Sequence, residues 1–176
     1  SKIANDIRWL GSGPRAGIGE LILPSVQPGS SIMPGKVNPV ICESMIQSCA
    51  QVIGNDIAIT LGGQGGIFEL NLMLPLISHN LLQSIQILSN SIKIFTEKLI
   101  DDLKADEKKC LDYIEGSLAM CTSLAPIIGY DKAAKIAYNA YESGKTVREI
   151  ALEEKVLSVE KLNELLDAKS MTKPNS

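Results

Sequence analysis

A short glycine-bracketed segment holds the residue types that could do chemistry in this chain. Residues 29–39 read GSSIMPGKVNP, so Ser30 and Ser31 supply adjacent hydroxyls, Lys36 a cation and Asn38 an amide. A segment of helical periodicity follows, which predicts that this loop leads into a helix N-terminus. The positive end of the helix dipole and the lysine would together favour an anion. The segment therefore predicts an oxyanion site with candidate nucleophiles or bases beside it.

Phosphate binding is the first chemistry to test, because glycine, lysine and a helix start are common to nucleotide sites. The phosphate-loop fingerprint needs four residues between its glycines and a serine or threonine after the lysine. Here five residues separate Gly29 from Gly35, and Val37 follows Lys36. The spacing therefore excludes that fingerprint.

Carboxylate recognition coupled to proton transfer fits the residues better. Removing a proton next to a carboxylate requires a nearby base and stabilisation of the charge that develops on the carboxylate oxygens. Ser30 or Ser31 could supply the base, while Lys36, Asn38 and the helix N-terminus could stabilise the charge. The alternative is a serine-rich turn capped by Asn38 with a solvated lysine. Spacing alone does not decide between the two.

The elements that must position this loop have helical periodicity. Apolar residues recur every three to four positions in segments 2–12, 39–61 and 72–103. Asn38 is predicted to be the N-cap of the second helix, with Pro39 at its first helical position. The third helix would span nearly 50 Å at about 1.5 Å per residue. Such a rod predicts an elongated bundle whose sides are covered by neighbouring subunits.

A charge-rich stretch at 101–109 predicts a boundary between two parts of the chain. We therefore predict an all-α protein, a long-helix bundle segment followed by a small helical C-terminal domain. Residues 1–103 would form part of a central helical-bundle domain, including a catalytic loop at 24–39. Residues 104–176 would form the small domain.

Capping signals mark short helices in the second part. Asp131 is predicted to cap a helix that ends near Gly144. Thr146 and Glu149 match a capping box, and Ser158 is predicted to open the last helix.

Composition excludes several classes of partner. The chain has 17 basic and 20 acidic residues with no basic stripe, which argues against nucleic acid binding. No apolar run reaches the length of a membrane span. The four cysteines show no zinc-like spacing, so we expect no metal site and interpret the thiols as small buried side chains in a reducing compartment. They are Cys42, Cys49, Cys110 and Cys121.

Residues 29–39 resemble the signature GSSxMPxKxNP of the fumarase/aspartase superfamily, whose members eliminate a group β to a carboxylate and leave fumarate. Glycine at position 35 is similar to class II fumarase, whereas aspartases usually carry alanine there. The resemblance covers essentially the whole chain and corresponds to the C-terminal part of the family's chain. Other matching segments are 5–8, 11–15, 62–75, 79–80 and 128–134.

The resemblance implies roles residue by residue. Ser30 and Glu43 would be catalytic, the serine taking a proton from C3 of malate and the glutamate polarising a histidine that this chain does not contain. Four residues would contact the substrate: Ser31, Lys36, Val37 and Asn38. His79, the one histidine, lies on a polar stripe of the long helix, where we expect a bundle or interface role.

The resemblance implies a fumarate hydratase of the citric acid cycle that interconverts fumarate and (S)-malate. It would be a homotetramer with active sites shared between subunits, without a metal or organic cofactor, in the bacterial cytoplasm or the mitochondrial matrix. The 176 residues alone would be inactive. One alternative is aspartate ammonia-lyase of the same superfamily. Another is a non-catalytic helical scaffold or interaction protein, against which the complete loop argues.

Overall fold

The computed structural model describes residues 1–27 and 32–173. By its internal contacts the chain divides into two compact units, Ser1–Asp106 and Glu107–Ser176. As predicted, the described residues are mainly helical. The first unit contains α1 (Lys2–Leu10), β1 (Leu21–Ile22), α2 (Val40–Gln64), α3 (Leu74–Phe95), a π-helical turn (Thr96–Ile100) and β2 (Lys104–Ala105). The second contains α4 (Glu107–Gly116), a 3₁₀ helix (Leu118–Ser123), α5 (Ala125–Ile128), α6 (Tyr130–Ser143), α7 (Val147–Glu153), α8 (Val159–Leu165) and α9 (Ala168–Met171).

Helices α2 and α3 pack antiparallel through a polar seam. The Ser48 and Ser91 hydroxyls lie 2.7 Å apart. Asn55, only 3% exposed, donates from Nδ2 to Gln83 Oε1 and to Ser84 Oγ, each at 3.0 Å. Its Oδ1 accepts from Gln51 Nε2 at 2.8 Å. Because these polar groups form their hydrogen bonds only when the two helices are in this register, the seam fixes the position of α2 along α3.

The periodicity of 39–61 predicts an apolar stripe on α2 with Asn55 on the opposite face, yet the structure buries that asparagine and exposes the C-terminal part of the stripe. The stripe consists of Cys42, Ile46, Cys49, Ile53 and Ile57. Ile53 is 62% exposed and Ile57 is 59% exposed. No residue of α3 is buried either. The apolar side of α3 and the C-terminal half of the apolar side of α2 are thus uncovered in the single chain.

The long helix is shorter than the predicted 72–103. Regular α-helix ends at Phe95, and the π-helical turn extends it to Ile100. The chain then turns so that Lys104–Ala105 pairs antiparallel with Leu21–Ile22, with Leu21 opposite Ala105. The rod ends early because this pairing draws the following residues into a two-stranded ribbon. The boundary between the units lies three residues beyond the predicted one, since the ribbon holds 104–106 with the first unit.

The second unit has an apolar core and most of the predicted caps. Thr146 and Glu149 form both bonds of the capping box, and Ser158 accepts from the Lys161 N–H. Gly144 ends α6 in the left-handed conformation. Two predictions were wrong: Asp131 lies inside the first turn of α6, whose N-cap is Gly129, and α9 follows the helix that Ser158 opens. The core consists of Met120, Leu124, Ile136, Ala140, Val147, Ile150, Ala151, Leu162 and Leu166.

Arg148 ties three elements of the second unit together. Its Nε donates to Glu115 Oε1 of α4 at 2.6 Å, and its Nη2 donates to Glu115 Oε2 at 3.3 Å. Nη1 donates to Asn163 Oδ1 of α8 at 2.8 Å, and Nη2 also donates to the Leu166 carbonyl at 3.2 Å. One side chain on α7 thereby holds α4 and the end of α8.

None of the helices in the described part of the chain has the length and hydropathy needed to cross a membrane. All four cysteines are free thiols, and only Cys42 is fully buried as predicted, whereas the other three are half-buried.

Candidate active site

Residues 32–39, the described part of the signature loop, form a turn and then a helix entry. The Lys36 N–H donates to the Met33 carbonyl at 3.2 Å. Gly35 inside this turn has φ of 78°, a conformation that favours glycine. The turn leaves the Lys36 side chain exposed and Asn38 half-buried.

Asn38 is not the N-cap of α2, contrary to the sequence prediction. Pro39 has φ −78° and ψ 58°, close to the central residue of an inverse γ-turn, and the Val40 N–H donates to the Asn38 carbonyl at 2.8 Å. Because this ψ is not helical, α2 begins one residue later than predicted. The Asn38 side-chain amide has no hydrogen-bond partner among the described residues and remains available to a ligand.

A cavity of about 730 Å³ lies beside the loop, and we call it the loop-side cavity. Its volume is within the range of small-molecule sites. The loop contributes Lys36, Val37 and Asn38, three of the four predicted substrate contacts. The remaining wall comes from the end of α1, the turn after it, the β1 segment and Asp106. One cavity therefore combines a cation, an amide and apolar walls.

The turn that follows α1 is held tightly in this wall. The Ser12 hydroxyl donates to the Trp9 carbonyl at 2.6 Å and accepts from the Ile18 N–H at 3.1 Å. A Cβ on Gly17 would lie 2.5 Å from the Ser12 carbonyl oxygen, so only glycine allows this approach. This part of the cavity wall is thus fixed by close contact between backbone segments and by hydrogen bonds between the Ser12 hydroxyl and the backbone.

Cys42, in the first turn of α2, is fully buried. Burial raises the pKa of its thiol, an effect that the nearby Arg8 guanidinium partly offsets. At neutral pH this thiol stays protonated, so Cys42 is not a nucleophile of the site.

The second unit has a cavity of its own, of about 540 Å³. Alanines of α6 lie among its lining residues together with Tyr130, Tyr138 and Tyr141. Its lining has no carboxylate, lysine, arginine or histidine, so the loop-side cavity is the better candidate for binding a carboxylate.

Comparison with known proteins matches both parts of the chain. Residues 1–54 match the family described as Lyase, and residues 120–173 match the family described as Fumarase C C-terminus. The chain is 50% identical over 173 residues to fumarate hydratase class II 2 of Bradyrhizobium diazoefficiens, covering 98% of this chain and 37% of that protein. This chain belongs to the fumarase/aspartase superfamily.

Other members of the superfamily match equally well. Aspartate ammonia-lyase of a Bacillus species is 50% identical over 174 residues, covering 99% of this chain and 37% of its own. The crystal structure of fumarate lyase:delta crystallin from Brucella melitensis superposes with a TM-score of 0.93 at 47% identity, covering 98% of this chain and 37% of that chain. The chain thus spans about a third of the length of these proteins. Identity supports fumarase-type lyase membership but does not distinguish the two leaving groups.

The structure does not bring all of the predicted site residues to the loop-side cavity. Ser30 and Ser31 lie outside the described residues. Glu43 is half-buried in the first turn of α2 and is not among the residues that line the loop-side cavity. His79 is exposed on α3, away from that lining.

The sequence left Arg8 open between pairing with a carboxylate and an interface or surface role, and it gave no site role to Trp9 or Asp106. All three line the loop-side cavity. Only tertiary pairing brings Asp106 there, since its N–H donates to the Glu20 carbonyl at 2.9 Å. Within residues 1–27 and 32–173, no group of histidine, cysteine, aspartate or glutamate side chains is arranged to hold a metal ion.

Proposed function

We propose that the protein to which this chain belongs is a fumarate hydratase that interconverts fumarate and (S)-malate. The main support is the complete signature at 29–39 together with a cavity that Lys36, Val37 and Asn38 line in common. Gly35, the residue typical of class II fumarases, favours hydration over deamination. The exposed Lys36 side chain and the Asn38 amide, which has no hydrogen-bond partner among residues 1–27 and 32–173, are suited to a carboxylate.

The chemistry follows from the weak acidity of a proton next to a carboxylate. Ser30 takes that proton from C3 of malate, and negative charge develops on the adjacent carboxylate. Lys36 and the Asn38 amide stabilise this charge, with the first N–H groups of α2 nearby. Loss of hydroxide from C2 then gives fumarate. Glu43 acts indirectly, by polarising a histidine from outside this chain.

Aspartate ammonia-lyase is the second candidate, favoured by the Bacillus relative of equal identity. It shares the proton-removal step at C3 and differs in releasing ammonia. An assay that compares substrates therefore distinguishes the two candidate functions, whereas substitution of the base does not.

The test is an assay of the protein at its natural length with (S)-malate and with L-aspartate, following the ultraviolet absorbance of fumarate. We expect turnover of malate and not of aspartate. Ser30→Ala should lower malate turnover by about 100-fold or more, the usual scale for loss of a general base. Ser143→Ala is the matched control, because Ser143 is an exposed serine outside the predicted catalytic loop that does not line the loop-side cavity. Turnover of aspartate alone would support the second candidate, and full activity of Ser30→Ala would remove the serine from the mechanism.

We also propose a homotetramer whose active sites are shared between subunits, with residues 1–106 contributing to a central helical bundle and 107–176 forming a small domain. Support comes from the uncovered apolar sides of α2 and α3, since soluble monomers rarely expose such continuous patches. These sides include Ile53, Ile57, Leu61, Leu81, Ile85 and Ile92, each about half exposed or more.

Sedimentation equilibrium of the natural-length protein should give four times the mass of one chain. Ile57→Lys together with Ile85→Lys should lower that mass by placing charge on the apolar sides. A matched control is Lys98→Met, which changes charge at an exposed lysine beyond α3. A monomer that retains full malate turnover would contradict both the tetramer and the shared sites. We further propose that the protein is located in the bacterial cytoplasm or the mitochondrial matrix, because free thiols are typical of proteins in reducing compartments.

A further inference from the structure

The loop-side cavity is lined by a second cationic side chain, that of Arg8, which has no part in the proposed mechanism. Arg8 lines it together with Lys36. Among the described residues neither side chain has a carboxylate within salt-bridge distance, although other lysines and Arg148 do. A cation in a cavity wall that lacks an internal counter-charge is available to an anionic ligand.

The guanidinium of Arg8 is held in place from one side. Its Nε and Nη2 donate to Asn5 Oδ1 at 3.3 and 3.0 Å. Its guanidinium carbon lies 5.9 Å from the centre of the Trp9 ring. Both interactions restrict the side chain, and neither neutralises its charge. The donors of Nη1 have no partner among the described residues.

The charge balance of the lining is positive. Arg8 and Lys36 contribute two positive charges and Asp106 contributes one negative charge, which gives +1. Residues 28–31, which precede the described part of the loop in the sequence, include no charged residue type. Arg8 also acts on the first turn of α2, where it opposes the effect of burial on the pKa of Cys42. The cavity thus has two separate sources of positive charge beside a helix N-terminus.

We propose that Arg8 is an anion-binding residue of the loop-side cavity and makes that cavity select dicarboxylates over monocarboxylates. A monocarboxylate satisfies one cation and leaves the other without a counter-charge. A dicarboxylate can neutralise both, so the second carboxylate gains affinity only while Arg8 is present. The inference deepens the proposed function by naming a specificity residue, but its evidence is the charge of the cavity.

The test compares succinate with butyrate, which has a methyl group in place of one carboxylate. Neither ligand is a substrate of the proposed reaction. Binding to the natural-length protein is followed by isothermal titration calorimetry. The variants are Arg8→Gln, which keeps a donor for Asn5 without the charge, and Arg8→Lys, which keeps the charge.

We expect Arg8→Gln to weaken succinate binding by about 10-fold and butyrate binding by much less, with Arg8→Lys between Arg8→Gln and the unchanged chain. The difference should shrink as salt is added. Arg15→Gln is the matched control, since this exposed arginine has the same charge and does not line the cavity. Equal loss of succinate and butyrate binding, or equal effects of Arg8→Gln and Arg15→Gln, would overturn the inference.

A second measurement uses the natural-length protein, with succinate as competitor of malate. Arg8→Gln should raise the succinate inhibition constant and the KM for malate by about 10-fold, with kcat nearly unchanged. A kcat loss without a KM change would contradict the proposal. If neither malate nor aspartate is turned over, yet Arg8→Gln still loses the preference for succinate, the proposed function fails and the anion-binding role stands. If malate is turned over and the preference is unchanged, only the role of Arg8 fails.

Discussion

Replacing Lys36 with methionine is expected to lower kcat/KM for malate by about 100-fold to 1000-fold, the scale measured when one group that stabilises a developing oxyanion is removed. The substitution keeps most of the side-chain length and removes only the charge. Lys36 has no ion pair among the described residues, so the change breaks no internal contact that could explain a loss. Because the charge develops mainly in the transition state, kcat should fall more than KM rises.

Steady-state kinetics of the natural-length protein measures this effect, and Lys36→Arg shows how much a displaced charge recovers. Lys98→Met is the matched control, because it removes an exposed lysine of the same unit that does not line the loop-side cavity. Thermal unfolding should be the same for all three variants. If Lys36→Met keeps kcat within about twofold of Lys98→Met, the lysine has no part in stabilising the transition state.

Replacing Arg148 with methionine is expected to destabilise the second unit by about 2–3 kcal/mol. The estimate takes hydrogen bonds to charged groups at the low end of their range, because the Arg148 and Glu115 side chains are 26% and 39% exposed. Methionine preserves the apolar stem, so the loss reports the guanidinium contacts. Glu115, Asn163 and the Leu166 carbonyl would each lose a donor.

Urea unfolding with hydrogen exchange at the amides of α4 measures the change and its location. Exchange in α4 should accelerate most, since Arg148 on α7 is what holds its Glu115. Lys145→Met is the matched control, because it breaks only the exposed Lys145–Glu153 pair, where about 0.5 kcal/mol is expected. Arg148→Lys should fall between them, since lysine lacks the planar fork. If Arg148→Met loses no more stability than Lys145→Met, the arginine does not hold these elements together.

Local signals predicted the second unit well. The capping box at Thr146 and Glu149 and the cap at Ser158 involve residues three apart, and the structure forms their bonds. Asp131 shows where such signals fail. A favoured capping residue lies there, but Gly129 precedes the helix and Asp131 lies in its first turn.

The first unit was harder to predict, because its elements meet across long stretches of chain. Periodicity located α2 and α3 and assigned Asn55 to the side opposite the apolar stripe. Which side of a helix is covered depends on its neighbours, and here the neighbour of Asn55 is the polar side of α3. The early end of the long helix likewise depends on strand pairing between 21–22 and 104–105.

The sequence by itself determined the signature loop, the helical class, the superfamily resemblance and the caps at Thr146 and Ser158, because each depends on residue types within a few positions or on a contiguous pattern. Only the tertiary structure decided that Arg8, Trp9 and Asp106 line one cavity with Lys36 and Asn38, since Arg8 and Trp9 precede Lys36 by 28 and 27 positions and Asp106 follows it by 70. The same holds for the amide of Asn38. An inverse γ-turn at Pro39 delays the helix by one residue and leaves that amide facing no partner among the described residues. Backbone geometry of this kind depends on how the loop is anchored at both ends, which residue types alone do not encode.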